Sequence, residues 1–202
     1  MIECSSNANR PAAALAHADF AATDSGLAAA EQAMFAGLSV NLTLLCSPRQ
    51  LGAARAAHRR ALARRLAAHL PVQAIVCTAS MPLGWIDRAV DALLPPSATA
   101  LRGQAAIAAA RIARADSGDD QAFAVFAAFG AAPLQLRWSD ASAAHTGALA
   151  QPDAADHATD AHALLVQLAH HGIDLDTIGN DLLCAALTQC GHADAQLLAL
   201  PA

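Results

Sequence analysis

Short runs of β-branched and aliphatic residues alternate with longer alanine-rich runs along most of this chain. That alternation restricts the fold more than any other feature. The clearest strand lies at residues 38–46 (LSVNLTLLC), rich in side chains that suit a pleated, half-buried surface. Weaker strand candidates fall at 15–22 (LAHADFAA), 72–78 (VQAIVCT) and 133–138 (PLQLRW). Between and after them, helical spacing and Gly or Pro boundaries predict helices at 25–36, 48–69, 85–94, 102–114, 121–129, 161–171 and 176–187. Crossovers of this length join parallel strands in right-handed βαβ units. The expected class is α/β, with about four to five parallel strands and helices outside.

The 202 residues suffice for one domain with a real core, but fall short of the roughly 250 typical of a complete (β/α)8 barrel. A single truncated domain over 1–202 is therefore expected. Its polar first ten residues should be disordered. Residues 139–160, rich in Ala, Asp and His with little apolar periodicity, should be loose, and 116–120 (DSGDD) should turn.

A formal charge of -5 gives no global attraction to nucleic acid or an anionic membrane. The start of the chain lacks the basic and apolar parts of a signal peptide, and no apolar run reaches the roughly 20 residues of a membrane span. These features predict a soluble, cytoplasmic protein. Cys4, Cys46, Cys77, Cys184 and Cys190 are odd in number and show no CxxC spacing, so reduced thiols packed in a core are expected. His157, His162, His170 and His171 with Asp153, Asp156 and Asp160 match no HExxH spacing, and no metal site is expected. There is no Gly-rich phosphate loop and no Gly-x-Ser-x-Gly elbow, and no cofactor is expected.

Two polar groups remain. Arg55, Arg59, Arg60, Arg64 and Arg65 with His58 make a basic helix that could meet phosphate or RNA. No aromatic residue interleaves to stack on bases, so a solvated face is the plainer reading. His17 and Asp19 lie two apart, on one face of a strand if the first candidate forms, and would make a general base or part of a metal site. Incidental polar residues are the plainer reading there too.

A set of ordered segments resembles the transaldolase family. Thr23–Gly26 (TDSG), Ala29-Ala30-Glu31 and residues 37–45 (GLSVNLTLL) resemble the family's fourth and fifth barrel segments. Residues 101–107 (LRGQAAI) with 109–111 (AAR) resemble a helix of its bacterial and plant-type branch. Gly130–Pro133 (GAAP) with 136–139 (LRWS) resembles the seventh strand, and 172–176 (GIDLD) with 181–183 (DLL) the entry to the C-terminal helix. The resemblance spans about 23–198 and implies an incomplete TIM-type barrel. It also implies ancestry in a pentose-phosphate enzyme that transfers a dihydroxyacetone unit through a lysine Schiff base.

The residues that the resemblance fails to supply are as informative. The family's first three strands bring an aspartate, an asparagine and a glutamate, and the residues before Pro11 are too few to encode those strands. The family's lysine precedes the threonine of its Thr-x-x-Gly turn by four positions; here that threonine is Thr23 and Asp19 stands at the lysine position. All twelve basic residues are arginine, so no lysine exists elsewhere in this chain. A carboxylate cannot form an imine with a ketone. The family's Ser-Arg phosphate grip corresponds to Ser80-Met81, and Met offers no bidentate donors. The basic loop after the seventh strand is replaced by 139–143 (SDASA). Asn41 and Thr43 match the family's Asn-x-Thr pair, although polar residues inside a barrel also persist simply by satisfying one another.

The expectation is a degenerate transaldolase-like chain without transaldolase activity, a pseudoenzyme serving as a structural or interaction protein, or else a gene remnant. An open barrel edge predicts a homodimer or a complex with another protein chain. The alternative is a lysine-independent enzyme on a sugar phosphate or small carbonyl compound. It would use Asp19 or His17 as acid–base group and Asn41, Thr43 and Ser80 as polar contacts. A split enzyme completed by a partner chain is a third reading.

Overall fold

The β-type runs assemble into one parallel sheet in simple sequence order: β1 (Ala18–Ala21), β2 (Val40–Thr43), β3 (Cys77–Pro82) and β4 (Gln135–Ser139). The computed structural model describes residues 18–118, 121–150 and 155–198. Helices follow the strands: α1 (Asp24–Phe35), α2 (Pro48–Ala67), α3 (Leu83–Leu93), α4 (Ala105–Gly118), α5 (Ala124–Ala127), α6 (Ala143–Leu149), α7 (Ala155–His170) and α8 (Leu175–Leu198).

Side chains alternate across the sheet. On one face Val40, Leu42, Cys77, Ala79 and Met81 are fully buried, packed in one cluster with Leu27, Met34, Leu51, Leu62 and Ile86 from α1, α2 and α3. On the other face Asp19, Asn41, Thr43, Ser80, Gln135 and Arg137 are half-buried or exposed. Among the described residues β1 and β4 each have one neighbour, so the sheet does not close. Sequential parallel strands with helices packed on one face make an incomplete TIM-type barrel.

The turn between β1 and α1 shows why this local sequence works. Thr23 caps α1, its Oγ1 accepting the Gly26 N–H at 2.9 Å. A Cβ on Gly26 would stand 2.1 Å from the Ala21 carbonyl oxygen, so only glycine lets the helix start this close to the strand. Gly26→Ala should lower the unfolding free energy by about 2 kcal/mol, read from the shift in urea midpoint.

Several boundaries differ from the sequence expectation. The strand expected at 72–78 begins only at Cys77. Val72 and Ile75 are buried, but in a turn closed by Ile75 N–H to the Val72 carbonyl at 3.2 Å. The strand itself reads CTASMP, mostly small and polar, and borrows its stability from neighbours on both sides. Strand β2 is shorter than expected because Leu44 takes a left-handed conformation, φ 61°, which ends the ladder. The 139–160 segment is not uniformly loose: Ser139 closes β4, and Ser142 caps α6 through a capping box with His145. At 116–118 the chain is still helical. His17 and residues 1–10 lie outside the described residues.

The basic helix is only in part a solvated face: Arg60 is exposed, while Arg55, His58 and Arg65 are buried. Arg65 is buried and donates to the carbonyls of Pro71 (2.8 Å), Met34 (3.3 Å) and Phe35 (2.6 Å), tying the end of α1 to the loop after α2. Arg55 is buried and donates to the Ala113 carbonyl of α4. Arg60 and Arg64 pair with Glu31 at 2.8 and 3.0 Å, and Arg64 also lies over the Phe35 ring. These guanidiniums fasten helices to one another.

Burial alone would push the Glu31 carboxyl up, but the hydrogen bonds and charges of Arg60 and Arg64 outweigh it and hold Glu31 below its ordinary value of 4.5. A depressed folded-state value means the ionised pair stabilises the protein above the unfolded value and is lost as pH falls through the folded one. The stability gap between the natural protein and Glu31→Gln should therefore be present at neutral pH, below about 1 kcal/mol because both arginines are partly exposed. It should close on acidification below 4.5, as followed by thermal melts.

Burial also pushes the Cys46 and Cys77 thiols up to about 12, which leaves both as unreactive core residues. Among the described residues, no helix is long and apolar enough to cross a membrane.

Candidate functional site

The polar face of the sheet brings together most of the residues singled out in the sequence. Strand pairing sets Asp19 opposite Asn41, and Asn41 opposite Thr78, so the three side chains share one face, with Ser80 one pleat further on. A hydrogen-bonded row crosses three strands. Ser80 Oγ donates to Asn41 Oδ1 at 2.9 Å, and Asn41 Nδ2 donates to Asp19 Oδ1 at 2.8 Å. The acceptor-only carboxylate fixes the direction of the row: Asn41 must turn its NH2 to Asp19, which leaves its oxygen for the Ser80 hydroxyl. Thr43 Oγ1 donates instead to the Phe20 backbone carbonyl at 3.4 Å. Asn41 and Thr43 thus each have a partner within the sheet.

The Ser80-Met81 pair does not act together. Neighbouring strand residues face opposite sides, and Met81 is fully buried beneath the helices while Ser80 faces the polar side. The residue that strand register places beside Ser80 is Arg137 of β4, which is exposed and has no hydrogen-bond or ion-pair partner among the described residues. Sequence reasoning passed over it. The signal was available: in 135–139 (QLRWS), alternation puts Gln135, Arg137 and Ser139 on the face opposite Leu136 and Trp138. On the same face Thr78 is buried, and its Oγ1 has no hydrogen-bond partner.

Chemically this face can accept and donate hydrogen bonds and offers one carboxylate and one guanidinium. It holds no primary amine for an imine. Among the described residues no three His, Cys, Asp or Glu side chains converge to hold a metal ion. His162 turns its Nδ1 to the Ala158 carbonyl at 2.8 Å, one turn back on its own helix. A separate groove of about 410 Å3 lies on the helical side, between α3 and α8, lined by Trp85, Arg88, Leu182 and Gln189 among others, and shares no residue with the polar row.

A second polar cluster, also passed over in the sequence, joins three helices. The buried Asp87 of α3 accepts the Ala106 N–H at the start of α4 through Oδ1 (2.8 Å) and meets His145 Nε2 of α6 through Oδ2 (2.6 Å). His145 Nδ1 accepts the Ser142 N–H at 3.0 Å, so the ring proton sits on Nε2 and points at the carboxylate. With both ring nitrogens occupied, this His–Asp pair clamps α6 to the body of the domain.

Comparison with known proteins agrees with the resemblance read from the sequence. No family model matches the chain. A transaldolase of Neisseria meningitidis serogroup C is 35% identical over an alignment of 212 positions, which covers 88% of this chain and 59% of the relative. A transaldolase of Neisseria gonorrhoeae is 35% identical with the same coverages. One from Thiobacillus denitrificans is 36% identical over 124 positions, 58% of this chain and 34% of the relative. The chain thus spans about three fifths of the length of the Neisseria relatives it matches. Together with the parallel sheet and its outer helices, these matches show a chain similar to about three fifths of a transaldolase.

Proposed function

We propose that this chain is a transaldolase-like pseudoenzyme of the cytoplasm that has kept the family's sheet and lost its lysine chemistry, and that it acts as a structural or interaction protein. The observation that carries the reading is that the chain contains no lysine, with Asp19 where the resemblance implies the family's lysine. Its carboxylate is bonded to Asn41 and has no electron pair on nitrogen with which to attack a ketone. The continuous core running from β1 through α8 supports a folded protein over a decaying remnant. Incubation of the purified chain with fructose 6-phosphate, followed by borohydride reduction and mass spectrometry, should show no added mass. A reduced adduct on the chain would overturn the reading, and its position would identify the amine.

A second reading is favoured by Arg137 beside Ser80, with the unpartnered Thr78 hydroxyl on the same face. On this reading they grip the phosphate of a sugar phosphate in an enzyme of altered mechanism, with Asp19 as its acid–base group. It predicts that fructose 6-phosphate shifts the amide resonances of β3 and β4, and that Arg137→Gln removes the shift. Unchanged spectra on titration would dispose of it.

A further inference from the structure

In the Ser142–His145 capping box the third helical residue is histidine, where Glu or Gln usually stands. Glu and Gln side chains go on accepting a hydrogen bond throughout the neutral range. Imidazole accepts through a ring nitrogen only while it is neutral, and a second proton makes both nitrogens donors. Here Nδ1 accepts the Ser142 N–H at 3.0 Å, and Ser142 Oγ accepts the His145 N–H at 3.2 Å. The other nitrogen, Nε2, meets Asp87 Oδ2 at 2.6 Å, and Asp87 is fixed in turn by the Ala106 N–H at 2.8 Å. The carboxylate holds the buried ring in place. A second proton must therefore go on Nδ1, pointing at the Ser142 N–H.

Among the described residues Asp87 is the one charged group bonded to the ring. Arg114 of α4 donates to the Leu149 carbonyl at the other end of α6 (2.6 Å), and Arg111 of α4 is half-buried without a bond to His145 or Asp87. Arg88 of α3 pairs with Asp140 of the β4–α6 turn at 2.8 Å, and Asp91 of α3 accepts the Gly103 N–H at 3.0 Å.

We propose that His145 is a pH-sensitive release for α6: a proton on Nδ1 breaks the capping box and frees the start of the helix. With 7 residues, α6 is too short to hold itself without its cap and its packing. The opening is local. The Asp87 bond to Ala106 keeps α3 and α4 together, and the Asp140 carbonyl, which accepts the Gly84 N–H at 3.0 Å, holds the turn at the β4 end.

Nuclear magnetic resonance of the full chain between about pH 8 and about pH 5 tests this, a span centred on the usual histidine range and above that in which Glu31 protonates. The His145 ring nitrogens and the Ser142 amide should shift together. Over the same step, protection of the α6 amides, corrected for intrinsic exchange, should fall about fivefold relative to α4, the size of a lost helix cap. His145→Gln, which restores the usual capping pair, should remove the pH dependence. The resonances of the natural protein decide the matter even where that variant does not fold. A ring that takes up its proton with Ser142 and α6 unchanged would overturn the proposal. So would a ring that stays neutral across the whole span, or α6 protection that falls no further than that of α4.

Discussion

Met81→Arg is expected to unfold the domain rather than to create an anion site. The family resemblance suggests that an arginine after Ser80 would rebuild a phosphate grip, but Met81 is fully buried on the helical side of β3, away from Ser80. A guanidinium there would lie among Leu42, Leu83, Ile86 and their neighbours in the core, with no counter-charge. An unpaired buried charge costs on the order of 4 kcal/mol or more, against roughly 5–15 kcal/mol for the whole domain. Met81→Leu, which conserves volume, should cost less than about 1.5 kcal/mol. Urea titration followed by circular dichroism separates the two. A stably folded Met81→Arg protein that binds phosphate would show that the register of β3 is wrong.

Asp87→Ala is the second large effect. Removing the carboxylate orphans two buried donors, the Ala106 N–H at the start of α4 and the His145 Nε2–H of α6. Each orphaned donor costs about 1–3 kcal/mol, so a loss near 4 kcal/mol is expected. Asp87→Asn should fall between the two. Its oxygen can still accept from Ala106, but its NH2 faces the Nε2–H. Shifting the ring proton to Nδ1 would lose the bond from Ser142. Hydrogen exchange should show α6 opening first in both variants, since the clamp is what fastens it. Equal protection of α6 in Asp87→Ala and the natural protein would contradict the clamp.

The parts of the fold that could be read in the sequence were those in which local and long-range forces agree. Strand β2 pairs β-branched and aliphatic residues with an alternating pattern, and α1 and α2 begin at Thr23 and Ser47 caps, so each was legible. Strand β3 was misplaced because its own residues, CTASMP, have weak preference for a strand; the apolar residues just before it, Val72 and Ile75, form a turn that packs into the core. Asp19, Asn41 and Ser80 were recognised singly through the resemblance. That they form one row depends on pairing between strands 22 and 39 residues apart, which no local pattern carries. Arg137 and the Asp87–His145 clamp were missed for the same reason. In the α2 arginines the composition suggested solvent, but their partners, the carbonyls at the end of α1 and Glu31, come from another helix.

The measurement that tests the central claim most directly is turnover of fructose 6-phosphate with erythrose 4-phosphate by the purified chain. The absence of any lysine predicts no turnover above the uncatalysed reaction. Turnover by the natural lysine-free chain would contradict the account at its root.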